Sequence, residues 1–453
     1  MRTLAPAIDG RRALELWAAG AVALLVAVAS VALPVAVAFA VPALCGAFLL
    51  LAAFRAFRGE SIDPEREDWL RSVTLASFVL HIAVALAIAS SPTLVRTLGG
   101  DAVTYHFGAI DIVHHWQTGG ALSVRTAPVG KEGFYYALAA LYWVFGPYQV
   151  SGLVVNAALS AALVPVVHDT TRRLFGRDAA RVAVVMLLVL PSFLIWTSQL
   201  LREAPVVFLL ALAANGAVRL TQRATVGAYA LVGLSIALLF TLRANVAMMA
   251  AAGVLLGIAL GRQRLLEGLT SGAAALVLFL LLVVSGGVGY AGYVRTSGST
   301  LQQVSETRQA LATTASSGLA PGQDVSTPKK AISFLPVALV GFAFGPFPWT
   351  AGNARQWAGG VEALTLWFLF PSVVRGCGAA RRAAGRRWTA LGLPALLIAA
   401  SLSLIIGNYG TIVRERLQVS IFLLPFAGYG WVIRRRRFQP ADAIAPLTGA
   451  RSA

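Results

Sequence analysis

Hydrophobic runs of about 17 to 25 residues recur along the whole chain, and each can cross a bilayer core of roughly 30 Å as a helix. No other feature constrains the fold as much. A segment inside lipid has to satisfy its own backbone hydrogen bonds, so it is a helix or part of a closed barrel. These runs do not alternate between apolar and polar residues, which removes the barrel. With 58% hydrophobic and only 12% charged residues in 453, the chain is expected to be all-α, a polytopic transmembrane bundle. The runs lie near 14–32, 35–54, 70–90, 150–170, 180–197, 204–220, 226–242, 244–260, 266–291, 359–375, 389–406 and 417–433.

The formal charge of +18 invites a nucleic-acid reading. The basic residues punctuate the runs and form no stripe on a soluble domain, which excludes that reading. With the N-terminus placed in the cytoplasm, roughly two thirds of the 37 basic residues fall inside, including Arg172 to Arg181 and Arg434 to Arg437. The same rule decides 331–349. A crossing there would carry 381–387 outside, and Pro336, Pro346 and Pro348 interrupt it. It is expected to be an interfacial or re-entrant element on the outer face. Residues 1–437 then form the membrane domain, with outer loops near 91–149 and 292–358, and 438–453 form a cytoplasmic tail expected to be disordered. The polar stretch 296–328 is expected to be mobile. Cys45 and Cys377 have neither disulfide nor zinc spacing. The first run shows no convincing cleavage site and is expected to remain as a helix.

The stretch GGDAVTYHFGAIDIVHHW, 99–116, gathers two aspartates and three histidines just after a span. Its spacing predicts a helix over 102–116 with Val103, Phe107, Ile110 and Val113 on one face. A second helix, 133–146, is dense in Phe, Tyr and Trp, which suits the headgroup level. Asp101 has two compatible readings. It is a good N-cap, and it is a general base placed where a lipid headgroup meets water. His106, His114 and His115 can join Asp111 in a metal site or be ordinary interfacial histidines. Lys131-Glu132 can hold a phosphate or be a solvated turn. Glu203 suits a helix N-terminus, with Arg202 beside it as a phosphate ligand; Glu203 can orient that arginine or pair with Lys131. Arg243 sits in a very tight outer hairpin, where a headgroup phosphate or snorkelling explains its charge. Arg414 and Arg416 stand before the last span and can face the same site. The spans are almost free of ionisable groups, with Glu15 and His81 the main exceptions, which argues against a transporter with charges at the midplane.

On these residues the sequence resembles the GT-C membrane glycosyltransferases, in particular bacterial relatives of dolichyl-phosphate-mannose protein mannosyltransferases. The resemblance runs from GGDAVTYH through KEGFYYALAALYWVFGPYQVSGLVVNAALSAALVPVVHDTTRRLFGRDAA to SQLLREAP, about 95 to 245. It implies a sugar donor on a polyprenyl phosphate, a glycan, lipid or protein acceptor of the cell envelope, and a multi-pass enzyme in the plasma membrane working on the extracytoplasmic side. It implies that Asp101 is the catalytic base and Glu203 the later outer acid, with Tyr105 and His106 as the aromatic–polar pair after the aspartate. Lys131, Glu132, Arg202, Arg243, Arg414 and Arg416 are the expected substrate-binding residues. Some members use a divalent metal, Mg or Mn, so that dependence stays open. Two departures matter. Many members carry adjacent acids where this chain has Asp101-Ala102, and no large soluble C-terminal domain is expected here. Two other readings remain: a polysaccharide polymerase or ligase using a polyprenyl-diphosphate glycan, and a lipid-linked sugar transporter or flippase.

Overall fold

The computed structural model describes residues 33–57, 64–98, 100–120, 130–262, 266–270, 272–275, 277, 301–314, 317–347, 349 and 354–437. The expected first span, most of 266–291 and the tail after 437 lie outside them. In chain order the helices are α1 Leu33–Phe57, α2 Pro64–Ala89, α3 Pro92–Leu98, α4 Gly100–Thr118, α5 Glu132–Phe145, α6 Gln149–Phe175, α7 Arg177–Val189, α8 Pro191–Thr197 and α9 Glu203–Gln222. They continue as α10 Val226–Leu242, α11 Ala244–Gly261, α12 Leu301–Thr314, α13 Pro328–Phe344, α14 Ala354–Ala384, α15 Thr389–Ile405, α16 Tyr409–Glu415 and α17 Leu417–Arg437. Among the described residues the only strand-type pairing is one isolated bridge, Gly318 with Asn408.

The protein is a multi-pass helical membrane protein. Seven described segments are long and apolar enough to cross a bilayer, or up to eight with one bent pair. One of the seven, Gly359–Ile405, is 47 residues long. As one straight helix it would measure about 70 Å, more than twice a bilayer core. It is broken instead into α14 and α15. Gly385 takes a left-handed φ of 60°, which glycine alone adopts freely, and a short 3-10 turn, Gly385–Trp388, follows. Gly359 lies beside Val413 at one end of the bundle, and Thr389 donates to Gly257 near the end of α11 at the other.

The expected span 180–197 is broken. α7 and α8 meet at Leu190 with a bend of 59°, because Pro191 has no N–H to continue the ladder and is well suited to start a new helix. Small residues bring the spans together. A Cβ on Gly253 would stand 2.3 Å from Pro394 Cα, and one on Gly376 1.9 Å from the Phe426 carbonyl oxygen. In lipid, where apolar burial drives helices together only weakly, such close backbone approach supplies the packing.

On α4, Val103 and Phe107 are exposed, while Ile110 and Val113 of the same expected face pack partly against the core; the helix also packs through Tyr105, Ala109 and Ile112, with Tyr105 set edge-on to Phe134 of α5. One expectation is corrected. The segment 296–328 is not uniformly loose: its residues 301–314 form α12, pinned by Arg308. That buried guanidinium donates to the carbonyls of Ser403 (3.2 Å), Ile406 (3.1 Å) and Leu319 (2.9 Å) and lies 4.5 Å from the Phe334 ring centre. It closes the orphan carbonyls at the end of α15. α13 runs through Pro336, and Trp367 of α14 donates to its last carbonyl, on Phe344. Pro346, just beyond the end of α13, packs against Gly359 of α14.

Arg308→Ala is expected to lower stability by about 2–4 kcal/mol, since hydrogen bonds to a charged group contribute about 1.5–3 kcal/mol each and are not additive. Thermal unfolding of the detergent-solubilised protein reads this as a clear fall in midpoint, and an unchanged midpoint would remove the pinning role.

Candidate functional site

Four separate parts of the chain meet at one end of the bundle. α4 brings Asp101 in its first turn, α9 brings Glu203 in its first turn, and α16 brings Arg414 and Glu415 in its last. Arg243 is the single residue between α10 and α11; its N–H bonds back to Leu239 and its carbonyl accepts from Ala247. One residue thus closes one helix and opens the next, which leaves its side chain little choice of direction.

The side chains form an alternating line of charge. Arg414 Nη1 donates to Asp101 Oδ2 at 2.6 Å, and its Nε lies 3.0 Å from Glu203 Oε1. Arg243 Nη2 donates to the same Glu203 oxygen at 3.2 Å, and its Nη1 lies 2.5 Å from Glu415 Oε1. The order is Asp101–Arg414–Glu203–Arg243–Glu415. Glu203 and Arg243 are nearly sealed, at 2% and 3% side-chain exposure, whereas Asp101 is 54% exposed. The line therefore runs from a dry interior to a carboxylate open to the outside. Glu203 Oε2 has no hydrogen-bond partner.

Two further cations flank this line. Arg202 donates to the Leu242 carbonyl at 2.8 Å, and Lys131 lies within the fields of Asp101, Glu415, Arg202 and Arg243. Among the described residues, Lys131, Arg202, Arg243 and Arg414 face Asp101, Glu203 and Glu415, leaving one positive charge over.

Titration follows the geometry. Partial burial works to raise the Asp101 carboxyl, but the Arg414 guanidinium outweighs it and holds Asp101 below its usual value. Burial lowers Lys131, and Arg202 and Arg243 lower it further. Burial pushes the Tyr105 hydroxyl up to about 12. Burial alone would lower Arg414; Glu203 and Asp101 reverse that and keep it protonated.

The structure sorts the expected site residues. Asp101, Glu203, Arg243 and Arg414 are in direct contact; Arg202, Lys131 and Tyr105 adjoin them. Glu203 pairs with Arg243 and Arg414, and no pair with Lys131 is formed. Glu132 instead turns back to accept from the Lys131 N–H at 2.9 Å, a local turn bond. His106 is hydrogen-bonded to the Tyr142 hydroxyl at 2.8 Å, away from the charged line, and burial lowers its pKa. Arg416 points elsewhere: it donates to the Gly345 carbonyl and lies in the field of Glu362. Its Nε and Nη1 are buried without partners. It lines an apolar cavity of about 290 Å³ walled by Leu339, Phe342, Phe344, Phe370 and Leu423.

Among the described residues no group of three His, Cys, Asp or Glu stands close enough to hold a metal. The set of Asp111, His106, His114 and His115 is not assembled, and the three acids of the charged line are already engaged by guanidinium groups. These residues do not fit a metal ligand set. Sequence reasoning passed over Glu415 and Glu362. Glu415 sits inside the triplet Arg414-Glu415-Arg416, where only the arginines were singled out, and the acid between them was the available signal. Nothing local marks Glu362, which is tied to Ser192 at the start of α8.

Arg243→Ala leaves Glu203 and Glu415 buried with one cation fewer. The variant is expected to be about 3–5 kcal/mol less stable, the usual cost of removing one partner of a buried pair. Adding Glu203→Gln is expected to recover part of the loss, because it removes a stranded charge. Thermal midpoints of the two purified variants make the check; a double variant no more stable than the single one would contradict it.

Residues 132–286 match the sequence model of the dolichyl-phosphate-mannose-protein mannosyltransferase family. The match includes Glu203, Arg202 and Arg243 and stops short of Asp101, Arg414 and Glu415. Set against the curated proteins, the sequence finds no match. Among solved structures, ArnT from Cupriavidus metallidurans bound to undecaprenyl phosphate is similar at 18% identity and a TM-score of 0.47, covering 78% of this chain and 59% of that one. The oligosaccharyltransferase AglB from Archaeoglobus fulgidus, in complex with an inhibitory peptide and a dolichol-phosphate, is similar at 13% identity and a TM-score of 0.48, covering 86% of this chain and 53% of that one. The chain thus spans little more than half the length of these structures. The chain is a polytopic helical bundle that carries, over residues 132–286, a match to the dolichyl-phosphate-mannose-protein mannosyltransferase family model.

Proposed function

We propose that the protein is a glycosyltransferase that moves a sugar from a polyprenyl-phosphate carrier to an envelope glycan, lipid or protein acceptor at the outer face of the plasma membrane. One observation carries the reading: the exposed Asp101 carboxylate shares Arg414 with the buried Glu203–Arg243–Glu415 group, at a site with one positive charge over. The family match supports a sugar on a lipid phosphate as donor. A single surplus charge suits a monophosphate leaving group better than a diphosphate, which favours transfer over the polymerase reading.

The acceptor hydroxyl oxygen attacks the anomeric carbon, the bond from that carbon to the phosphate oxygen breaks, and the polyprenyl phosphate leaves with the electron pair. Asp101 takes the hydroxyl proton. Arg414, Arg202 and Lys131 stabilise charge growing on the phosphate. The apolar cavity beside Arg416 accepts part of the prenyl chain. In the free protein Arg414 holds Asp101 as a weak base. A donor phosphate competes for the same guanidinium, so donor binding both supplies the electrophile and restores the basicity of Asp101.

Asp101→Asn is expected to cut transfer by about 10² to 10⁴ while lipid-linked donor still binds, measured as turnover of lipid-linked sugar by mass spectrometry. Undiminished transfer would leave Asp101 as a helix cap. The pH profile gives a second check. A base works only when ionised, and Arg414 lowers the Asp101 pKa in the free protein, so the acid limb of kcat/KM is expected below the ordinary carboxylate range. The limb of kcat, which reports the donor-bound state, is expected higher. Arg414→Gln should raise the kcat/KM limb; an unmoved limb would rule out the shared guanidinium.

A further inference from the structure

The end of the bundle away from Asp101 carries a second basic site. α6, α9 and α11 each run from the charged line to this end over 27, 20 and 18 residues, about 27–40 Å. There a cavity of about 300 Å³ is lined by Arg173, Leu174, Gly261, Gly385, Arg386 and Arg387. Three guanidinium-bearing residues around one cavity repel each other unless an anion lies between them.

The site is held in place on both sides. Asp169 is fully buried and accepts from Arg173 Nε at 2.6 Å, Arg172 at 2.7 Å and Arg219 at 3.1 Å, with Asn215 donating at 3.1 Å. Arg173 Nη1 also donates to Gln222 Oε1 at 3.3 Å, and Gln222 returns a bond to the Arg173 carbonyl at 3.1 Å. One acid thus fixes three arginines and neutralises one of them. On the other wall, Arg386 and Arg387 belong to the turn after α14. Thr389 locks that turn by donating to the carbonyls of both Arg386 and Gly257 at 2.9 Å. Among the described residues neither Arg386 nor Arg387 has an ion-pair partner. The level is that of span ends, where lipid headgroups lie.

We propose that this cavity binds a phosphate or phosphodiester group, presented by an anionic lipid headgroup or free in solution. A phosphate has the several acceptor oxygens that three arginines from different helices can share, and guanidinium matches it in planar, paired bonds. The proposal is independent of the transfer reaction, since no residue of the cavity belongs to the charged line.

The test uses the full chain in neutral detergent. Native mass spectrometry and thermal shift are read with phosphatidylglycerol, phosphatidylcholine and inorganic phosphate as probes. The wild type is expected to retain phosphatidylglycerol over phosphatidylcholine. Each of Arg386→Gln and Arg387→Gln should weaken that retention about fivefold, the effect of one basic residue near a lipid surface. Stabilisation by inorganic phosphate that the same variants abolish would identify free phosphate as the source and equally support the site. Arg381→Gln/Arg382→Gln, which removes exposed charge just before the turn, is expected to change little. The proposal is overturned if the control weakens retention as much as the cavity variants, if phosphatidylcholine binds as tightly, or if no probe binds in a way Arg386 and Arg387 affect.

Discussion

Arg243 between Glu203 and Glu415 is the interaction on which the Asp101 end of the bundle depends. A buried guanidinium with one carboxylate balances; with two it leaves a negative excess that needs another cation. Arg414 provides it, at 3.0 Å from Glu203, and because it also reaches Asp101 the buried group extends to the surface. The desolvation of four charged groups is offset only while all four stay in register. The packing that fixes register is therefore part of the site. Gly253 against Pro394 and Gly376 against Phe426 set α11 and α14 at backbone distance from their partners, and Arg308 ties the end of α15 just ahead of α16.

The two ends of the bundle use arginine in opposite ways. Near Asp101, arginines alternate with acids and little charge is left over. Around Asp169, one acid serves three arginines and, among the described residues, two more stand close by without an ion-pair partner. The first arrangement nearly balances its own charge; the second leaves an uncompensated positive field. Both draw on the same property of guanidinium, a planar fork that remains charged even when half sealed from water.

Much of this was legible in the sequence, for physical reasons that also mark where legibility ends. The spans declare themselves because lipid forbids unsatisfied backbone, and α10 and α11 fall at the expected residues. Arg243 stood out because a charge in so tight a hairpin has few places to go. Asp101 and Glu203 stood out at the starts of helices. Their joining through Arg414 was not legible: it spans 313 positions of sequence from Asp101, and no local pattern encodes such a contact. Which apolar residues of α4 meet the core was not legible, because lipid-facing and protein-facing apolar residues look alike in a sequence. Arg308 and Asp169 were hidden among ordinary-looking polar residues, since burial, not residue type, gives them their roles.

The one-residue connection at Arg243 ties the charged line to the length of α10. α10 has 17 residues, about 26 Å of helix against a hydrocarbon core of roughly 30 Å. A helix of that length stands at the lower limit for crossing a bilayer and has little slack to tilt. Arg243 has no loop to absorb the difference. A change in the length of α10 would therefore pass directly to Arg243, and through it to Glu203 and Glu415.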